Sequence, residues 1–570
     1  MNQSKNIFAS ITDRFISRGI VHLDLIKKAL HTQDKHTIEQ VIHQHRSNFM
    51  FSYTGDLFQL HAVDRLALYP LFYAIKDGKP YVSQVIDDLV PLLDKRVLHP
   101  EGFYGTGGLD KGGRTSFSPY RDIMRIPPGH YLIYQDGRYE LIEYWSFLKL
   151  ADNPYEGSYD EACDILGSLI KQGVDRCYAH NPNMAVHLSG GLDSGSITAL
   201  LAQSKTDTIY AYAHVKPDAP DDDPILENGY LRKYVAHYPH IALQKSHTLQ
   251  FQEQYTRPID PLGNWHGVHH DSSEGHICQD LNSKNVSFIL SGMGGDELAS
   301  YGHHHQKRRK TLYNDDDARR FMYRDIYLKR KAKFLVKGLL GMDGPRIDSI
   351  RSTLMMNPFT EKAKYYNKDY RMAVPQLNNE SIISLYWFPS SYRYRLDTLQ
   401  RSFFTIRSDI WNYLSKYYGV DYMFPLLDAD LIEFCARMPR GFFIGRQQRQ
   451  MIKTGLAKYL PHDLLGGGKR PGYQSPLGTP APVGIKQHSM DDVLAICKEQ
   501  LLNAKNTLAA QVYDLNYISQ LLHKHERLLT SLPSNRHQMR QISERQIRTI
   551  YRYLDQHVNY VNDHFDDIGM

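Results

Sequence analysis

The spacing of apolar and polar positions changes along the chain, and the changes mark its organisation. Up to about residue 150 the apolar residues come in short runs, Phe49–Tyr53, Leu57–Val63, Leu68–Ala74 and Tyr81–Ser83, cut by turn residues such as Asp77-Gly78. That rhythm predicts a mostly β region with polar turns. Ala151–Ser158 reads as a linker, and Tyr159–Cys177 as a helix leading out of it. From Met184 onward strand-like and helix-like segments alternate. Met184–Leu188 is a buried-strand run, and Gly195–Ala202 is helical, with Ile197, Leu200 and Leu201 on one face. Thr208–Val215 predicts a strand, Pro224–Tyr238 a helix carrying Glu227, and Asn285–Leu290 a further buried strand. Such alternation predicts an α/β fold with a doubly wound parallel sheet, whose ligands collect at the carboxyl ends of the strands. Ser381–Tyr418 is helical and aromatic-rich. Ile542, Ile547, Ile550, Tyr551 and Leu554 predict a C-terminal amphipathic helix lying on the core.

Between the strand at Met184 and the helix after it stands Ser189-Gly190-Gly191-Leu192-Asp193-Ser194. A strand, a small-residue loop and a helix start form an anion site, because free backbone N–H groups and the positive helix end converge there. No Gly-Lys-Ser/Thr follows the glycines, so this is not a Walker loop. Asp193 is informative. A carboxylate beside bound phosphates is repelled unless a divalent cation lies between them, and Mg²⁺ held by a carboxylate plus substrate phosphates fits that need. A second string, Ser291-Gly292-Met293-Gly294-Gly295-Asp296-Glu297, directly follows the Asn285–Leu290 strand, where the sheet rule places ligands.

SGGLDSGS resembles the pyrophosphate loop of the N-type ATP pyrophosphatases, and among them the asparagine synthetase-like amide-forming enzymes. The resemblance implies a chain that activates a carboxylate with ATP as an acyl-adenylate, releases pyrophosphate and lets an amine attack. The second string resembles the family's S-G-x-G-x-D-E signature. The resemblance makes Ser189, Gly190, Gly191, Leu192, Asp193, Ser194, Ser291, Gly292, Gly294 and Gly295 nucleotide-binding, with Asp193 and Asp296 sharing Mg²⁺. Met293 stands where asparagine synthetases carry Glu and β-lactam synthetases Tyr. A thioether cannot handle the amine's proton, so Met293 is expected to pack or to touch substrate. Gly419–Pro439 resembles the G-V-E-x-R-x-P-F-L-D segment, with Asp421 at the Glu position, Met423 replacing the Arg, and Pro425 and Asp428 matching. Asp421 is therefore a candidate acid, or else a buried structural carboxylate. Arg449–Pro476 is similar to the run that carries the catalytic lysine, which places Lys469 in that role inside a Gly-rich loop.

The N-terminal region resembles the family's glutaminase (Ntn-type) domain through Val63–Ala74, Tyr81–Leu89, Ile126–Leu132 and Tyr144-Trp145. The glutaminase nucleophile is a cysteine exposed after Met removal, yet position 2 is Asn2 and no cysteine precedes Cys163. An amide cannot supply a thiolate, so the domain is expected to be a structural shell and the attacking amine to arrive with the substrate. The organisation expected is a degenerate glutaminase-like domain over 1–150 and an ATP-binding ligase domain over 158–570. Within the family, lasso-peptide macrolactam cyclases and β-lactam synthetases remain. The non-Glu, non-Tyr residue at 293 favours the cyclases, whose substrate is a linear peptide trimmed by a partner leader-peptide protease. A scaffold that only binds nucleotide or peptide is the rival from another class.

Composition narrows the rest. With 570 residues the chain exceeds one typical core. No apolar run approaches a membrane span, and Met1–Phe15 lacks a signal-peptide layout. The five cysteines lie far apart without a C-x-x-C pair, which argues against a disulfide framework or zinc site and makes a reducing cytoplasm the default. A net charge of +6 suits acidic ligands such as ATP without arguing for nucleic acid. His303-His304-His305 invite a metal reading, but adjacent residues on a helix point in different directions and one face cannot collect them; the basic run up to 340 reads as a solvated helix face rather than a docking surface.

Overall fold

The computed structural model describes residues 14–100, 102–103, 117–151, 153–215, 227–247, 267–299, 365–373, 418–439, 449–465, 489–531, 537–552 and 558–569. It also describes positions 404, 408, 411, 412, 415, 442 and 554. The chain starts with β1 (Arg14–Gly19), helices α1 (Leu23–Thr32) and α2 (Lys35–Gln44), and β2 (Phe49–Thr54). It continues with β3 (Phe58–Val63), β4 (Phe72–Lys76), β5 (Lys79–Ser83), β6 (Val97–Leu98), β7 (Ile123–Arg125), β8 (His130–Gln135) and β9 (Arg138–Glu143). Strands β1-β2-β3-β8-β9 form one antiparallel sheet and β5-β4-β7 another.

Two hairpin turns are built the same way. Asp77-Gly78 and Asp136-Gly137 both hold positive φ, the geometry that matches the strand twist in a two-residue hairpin. The apolar run from Leu68 becomes a strand only at Phe72, because Pro70 has no N–H to give a ladder. Helices α1 and α2 depart from the all-β expectation. They bury Ile26 and Ala29, and Ile38, Val41 and Ile42, on single faces, and Asp34 caps α2 by accepting from the Thr37 N–H.

The second region opens with α3 (Tyr159–His180), whose capping box joins Ser158 and Glu161. Then come β10 (Met184–His187), α4 (Leu192–Ser204), β11 (Ile209–Val215), α5 (Glu227–His237), β12 (Ile241–His247), α6 (Gly267–Ser283), β13 (Phe288–Leu290) and β14 (Asp421–Met423). The sheet order is β12-β11-β10-β13-β14 and every pairing is parallel, as the alternation predicts. Ala185, Val186, Ala211, Ile289 and Leu290 are wholly buried, which is why these strands read as continuous apolar runs.

Helices α7 (Ala429–Arg437), α8 (Gln450–Leu456), α9 (Met490–Ala504), α10 (Leu515–Ser531) and α11 (His537–Arg552) follow, and β15 (Asp567–Ile568) pairs in parallel with β6. The expected amphipathic end is present: Ile547, Ile550 and Leu554 are fully buried in a core shared with Phe72, Ile123 and Val493. An ionic joint connects the antiparallel sheet to α7. Arg65, 2 % exposed, donates Nε–H to Glu433 at 2.8 Å, and Arg46 reaches Asp430 and Glu433. The Trp145 indole N–H also donates to Glu433, and Arg176 pairs with Asp428 and Asp430. None of the five cysteines forms a disulfide, and all are buried. Among the described residues no helix is long and apolar enough to cross a membrane.

Candidate functional site

The site lies at the carboxyl ends of β10 and β13. Leu188 extends the ladder by donating to Tyr212 O, and the chain then turns through Gly190, whose φ of 76° suits glycine, into α4. The turn is held from within. The Ser189 N–H donates to Ser194 Oγ at 3.1 Å, and Gly191 N–H to Ser189 Oγ at 3.3 Å. Gly191 is the N-cap and makes no side-chain cap, so the first turn of α4, Leu192–Asp193–Ser194, presents its N–H groups at the strand end. The expectation of a helix from Gly195 begins too late, since Asp193 and Ser194 already belong to the first turn.

The second string comes against that turn. Ser291 N–H donates to Met423 O, and the chain then bends through Gly292 and Met293 into a single π-helical turn, Gly295–Ala299. The Glu297 carboxylate accepts from the Gly294 N–H at 3.0 Å. Three glycines allow the approach. A Cβ on Gly292 would lie 2.8 Å from Ser194 N, and one on Gly294 would meet Leu427 at 2.5 Å. One on Gly295 would fall 2.1 Å from the Asp193 carboxyl carbon. The glycines of the second string thus leave room for the α4 backbone at Ser194, the Asp193 carboxylate and Leu426-Leu427.

This approach brings Asp193 and Asp296 together, and a residue not anticipated from the sequence joins them. Nη2 of Arg449 lies 3.1 Å from Asp193 Oδ2 and also bonds Asp296 Oδ1. Burial opposes the guanidinium charge, but the two carboxylates outweigh it and hold Arg449 more firmly protonated than usual. Arg449 sits at the N-cap of α8 with φ of 59°, a left-handed conformation that costs an L residue about 1–2 kcal/mol. One turn on, burial and the Arg449 charge lower the Lys453 ammonium below its ordinary value. Helix α8 is placed by a close crossing with α3, where the Gly167 and Gly455 backbones touch.

One nitrogen reaching both carboxylates means their oxygens are close enough to share a cation. Two carboxylates fit Mg²⁺, which takes one or two protein carboxylates and completes its octahedron with phosphate oxygens and water. Among the described residues no cluster of three or more His, Cys, Asp or Glu could hold a metal ion.

Asp421 is not brought to this site. It opens β14 beside Phe288, at the amino end of a strand whose carboxyl end faces the loops. There Arg18 of β1 pairs with it at 2.5 Å and Ser415 donates to it, while Arg18 also covers the Tyr69 ring. Its position corresponds to the structural-carboxylate alternative. Met293 is 7 % exposed within the main core, in agreement with a packing role. Lys469, His303-His304-His305, the basic run up to 340 and Asn2 lie outside the described residues.

Comparison with known proteins gives two findings. The family model described as asparagine synthase matches residues 166–550, which contain both strings, Arg449 and the whole parallel sheet. The Bacillus subtilis (strain 168) protein named asparagine synthetase (glutamine-hydrolyzing) 3 is 27% identical over 143 residues, covering 25% of this chain and 23% of that protein. The aligned segment therefore spans about a quarter of that relative.

Proposed function

The chain belongs to the asparagine synthase family, and we propose that it is an ATP- and Mg²⁺-dependent carboxylate–amine ligase that closes an amide within a linear peptide. The observation that carries the ligase reading is the meeting of Asp193 and Asp296, each from a different strand end, at the mouth of one helix N-terminus.

The chemistry follows from the residues. The α4 N–H groups and Ser189–Ser194 loop bind and orient the triphosphate of the substrate ATP. Asp193 and Asp296 would hold Mg²⁺, which when bound supplies charge neutralisation for the departing pyrophosphate. Arg449 and Lys453 add positive charge from α8. A substrate carboxylate oxygen attacks the α-phosphorus, and the bond from that phosphorus to the β-bridging oxygen breaks. The amine then attacks the acyl carbon, forming C–N as C–O to AMP breaks, with the amine's proton released. Lys469 is assigned to stabilise the oxyanion of this second step, by the family resemblance alone.

Two observations support an amine that arrives with the substrate. Every cysteine in the sequence is buried, and burial pushes the Cys278 and Cys435 thiols up to about 12, away from the exposed thiolate that splitting glutamine requires. Met293 is packed into the core where relatives carry a proton-handling side chain. Holding both reacting groups on one substrate turns an encounter into an intramolecular step worth several kcal/mol. The reading includes a partner protease that trims a leader peptide and frees the α-amine. The test is mass spectrometry of candidate precursor incubated with enzyme, protease, ATP and Mg²⁺. A product lighter than the trimmed peptide by one water, with AMP formed in step, supports the proposal. Turnover of small β-amino acids without any peptide losing water would replace it with a β-lactam-forming activity.

A further inference from the structure

We infer that Arg449 and the divalent cation are alternative occupants of the Asp193–Asp296 pair, so that metal enters this site only in company with the nucleotide. The inference rests on the pyrophosphate-site reading and adds an order of events to it.

The geometry leaves room for one cationic centre. A single nitrogen, Nη2, makes both contacts, so it stands between the two carboxylate oxygens that a shared cation must bridge. Its side chain is 13 % exposed, as is that of Asp193, so water screens this contact poorly. Charge points the same way. The groups facing Arg449 are Asp193, Asp296 and Glu297, with Lys453 one turn along α8. A lone divalent ion brought to the pair would face the guanidinium at close range and would have to break its contacts with both carboxylates. A triphosphate arriving with the ion changes that balance, because its oxygens give the guanidinium a second anionic partner and give the ion its missing ligands.

The arginine is also poised to move. Its Nε is buried and finds no acceptor among the described residues, so the present contacts satisfy only part of its donor fork. The fork suits the planar, two-point binding of a phosphate group. Transfer of Arg449 from the carboxylates to the phosphates exchanges one set of charge-assisted bonds for another, and it couples the two ligands. By linkage, the factor by which nucleotide tightens metal is the factor by which metal tightens nucleotide.

The test uses the full chain and Mn²⁺ as the probe, with free ion counted by electron paramagnetic resonance. Mn²⁺ is titrated alone and with a non-hydrolysable α,β-methylene ATP analogue, for wild type, Arg449→Gln, Arg449→Lys and the Arg449→Gln/Asp296→Asn double variant. Wild type should bind Mn²⁺ alone at least about tenfold more weakly than Arg449→Gln, within the usual range of such couplings. Adding Asp296→Asn should erase the gain. Wild type should bind Mn²⁺ tightly once the analogue is present. If circular dichroism shows Arg449→Gln misfolded, Arg449→Lys serves, since its shorter point charge cannot bridge both carboxylates and should give a smaller gain. Equal Mn²⁺ affinity in wild type and the folded Arg449 variants, with analogue-dependent binding intact, would overturn the competition while leaving the site assignment standing. No Mn²⁺ bound even with the analogue would instead overturn the site assignment itself.

Discussion

Gly295→Ala is a small change with a large expected consequence. The backbone at Gly295 lies outside the left-handed region, so alanine is conformationally acceptable and the effect is confined to what its methyl meets. It meets the Asp193 carboxylate: 2.1 Å from the carboxyl carbon, 2.5 Å from Oδ1 and 2.6 Å from Oδ2. Restoring a carbon–carbon contact of ~3.5 Å moves that carboxylate by roughly 1.4 Å. Such a shift disturbs its 3.1 Å contact with Arg449 and moves one of the two groups assigned to the metal. Misplacement on the order of 1 Å costs about a hundredfold in rate. Relief of the overlap costs about 1–2 kcal/mol of stability, because Asp193 is a side chain at a helix start that can swing. The assay is pyrophosphate release with a parallel thermal melt. Gly295→Ala should stay folded and lose at least about a hundredfold in pyrophosphate release. Gly195→Ala, one turn along α4, drives its methyl into the Tyr234 hydroxyl at 1.9 Å and should affect stability more than rate. Wild-type pyrophosphate release by folded Gly295→Ala would refute the placement of Asp193 at the chemistry.

Three further outcomes follow from other parts of the molecule. Glu433→Ala removes the partner of Arg65, Arg46 and Trp145 together and should lower stability by about 3 kcal/mol in chemical denaturation; unchanged stability would mean the joint carries nothing. His45 is fully buried, accepts from the His22 N–H and bonds Val41 O, and burial lowers its pKa from 6.5 to about 4. Because the folded value lies below the unfolded one, this stabilisation is complete above pH 6.5 and is lost as pH falls toward 4, on the order of 3 kcal/mol. Burial raises Asp64 to about 6, which acts in the opposite direction over the same range, so the measurement is the difference between wild type and His45→Gln. That difference should shrink on acidification, and a pH-independent difference would contradict the neutral buried imidazole. Purified protein should release no glutamate from glutamine with or without ATP, since all five cysteines are buried; measurable turnover would show an unrecognised nucleophile.

The parallel half of the fold was legible because its central strands are buried, Met184–Val186 and Ile289–Leu290 throughout, so they read as continuous apolar runs between segments of helical spacing. The two glycine-rich strings were legible for a related reason. Glycines that let two backbones touch must sit at fixed offsets, and Gly292, Gly294 and Gly295 each prove to face a specific atom of α4 or of Leu426-Leu427. Helices α1 and α2 were hidden because their buried faces hold only a few apolar residues among Lys, His and Gln. Arg449 opens the Arg449–Pro476 run, but the resemblance drew attention only to Lys469 within it. The close Gly167–Gly455 crossing of α3 and α8 helps to bring Arg449 to Asp193. Asp421 stayed open between a candidate acid and a structural carboxylate because a motif records residue type and not which end of a short strand the residue occupies. The structure sets it at the amino end of β14, paired with Arg18 from the first β-strand.

The most direct measurement is ³¹P NMR of the nucleotide products made with trimmed peptide, ATP and Mg²⁺ by wild type, Asp193→Asn and Asp296→Asn. Each substitution keeps shape and removes one of the two charges that meet at Arg449 Nη2. Wild type should form AMP and pyrophosphate in equal amounts, and both variants, folded as judged by their melts, should form neither above background. ADP and orthophosphate from wild type, or near-normal AMP and pyrophosphate from Asp296→Asn, would contradict the assignment of this pair to pyrophosphate release.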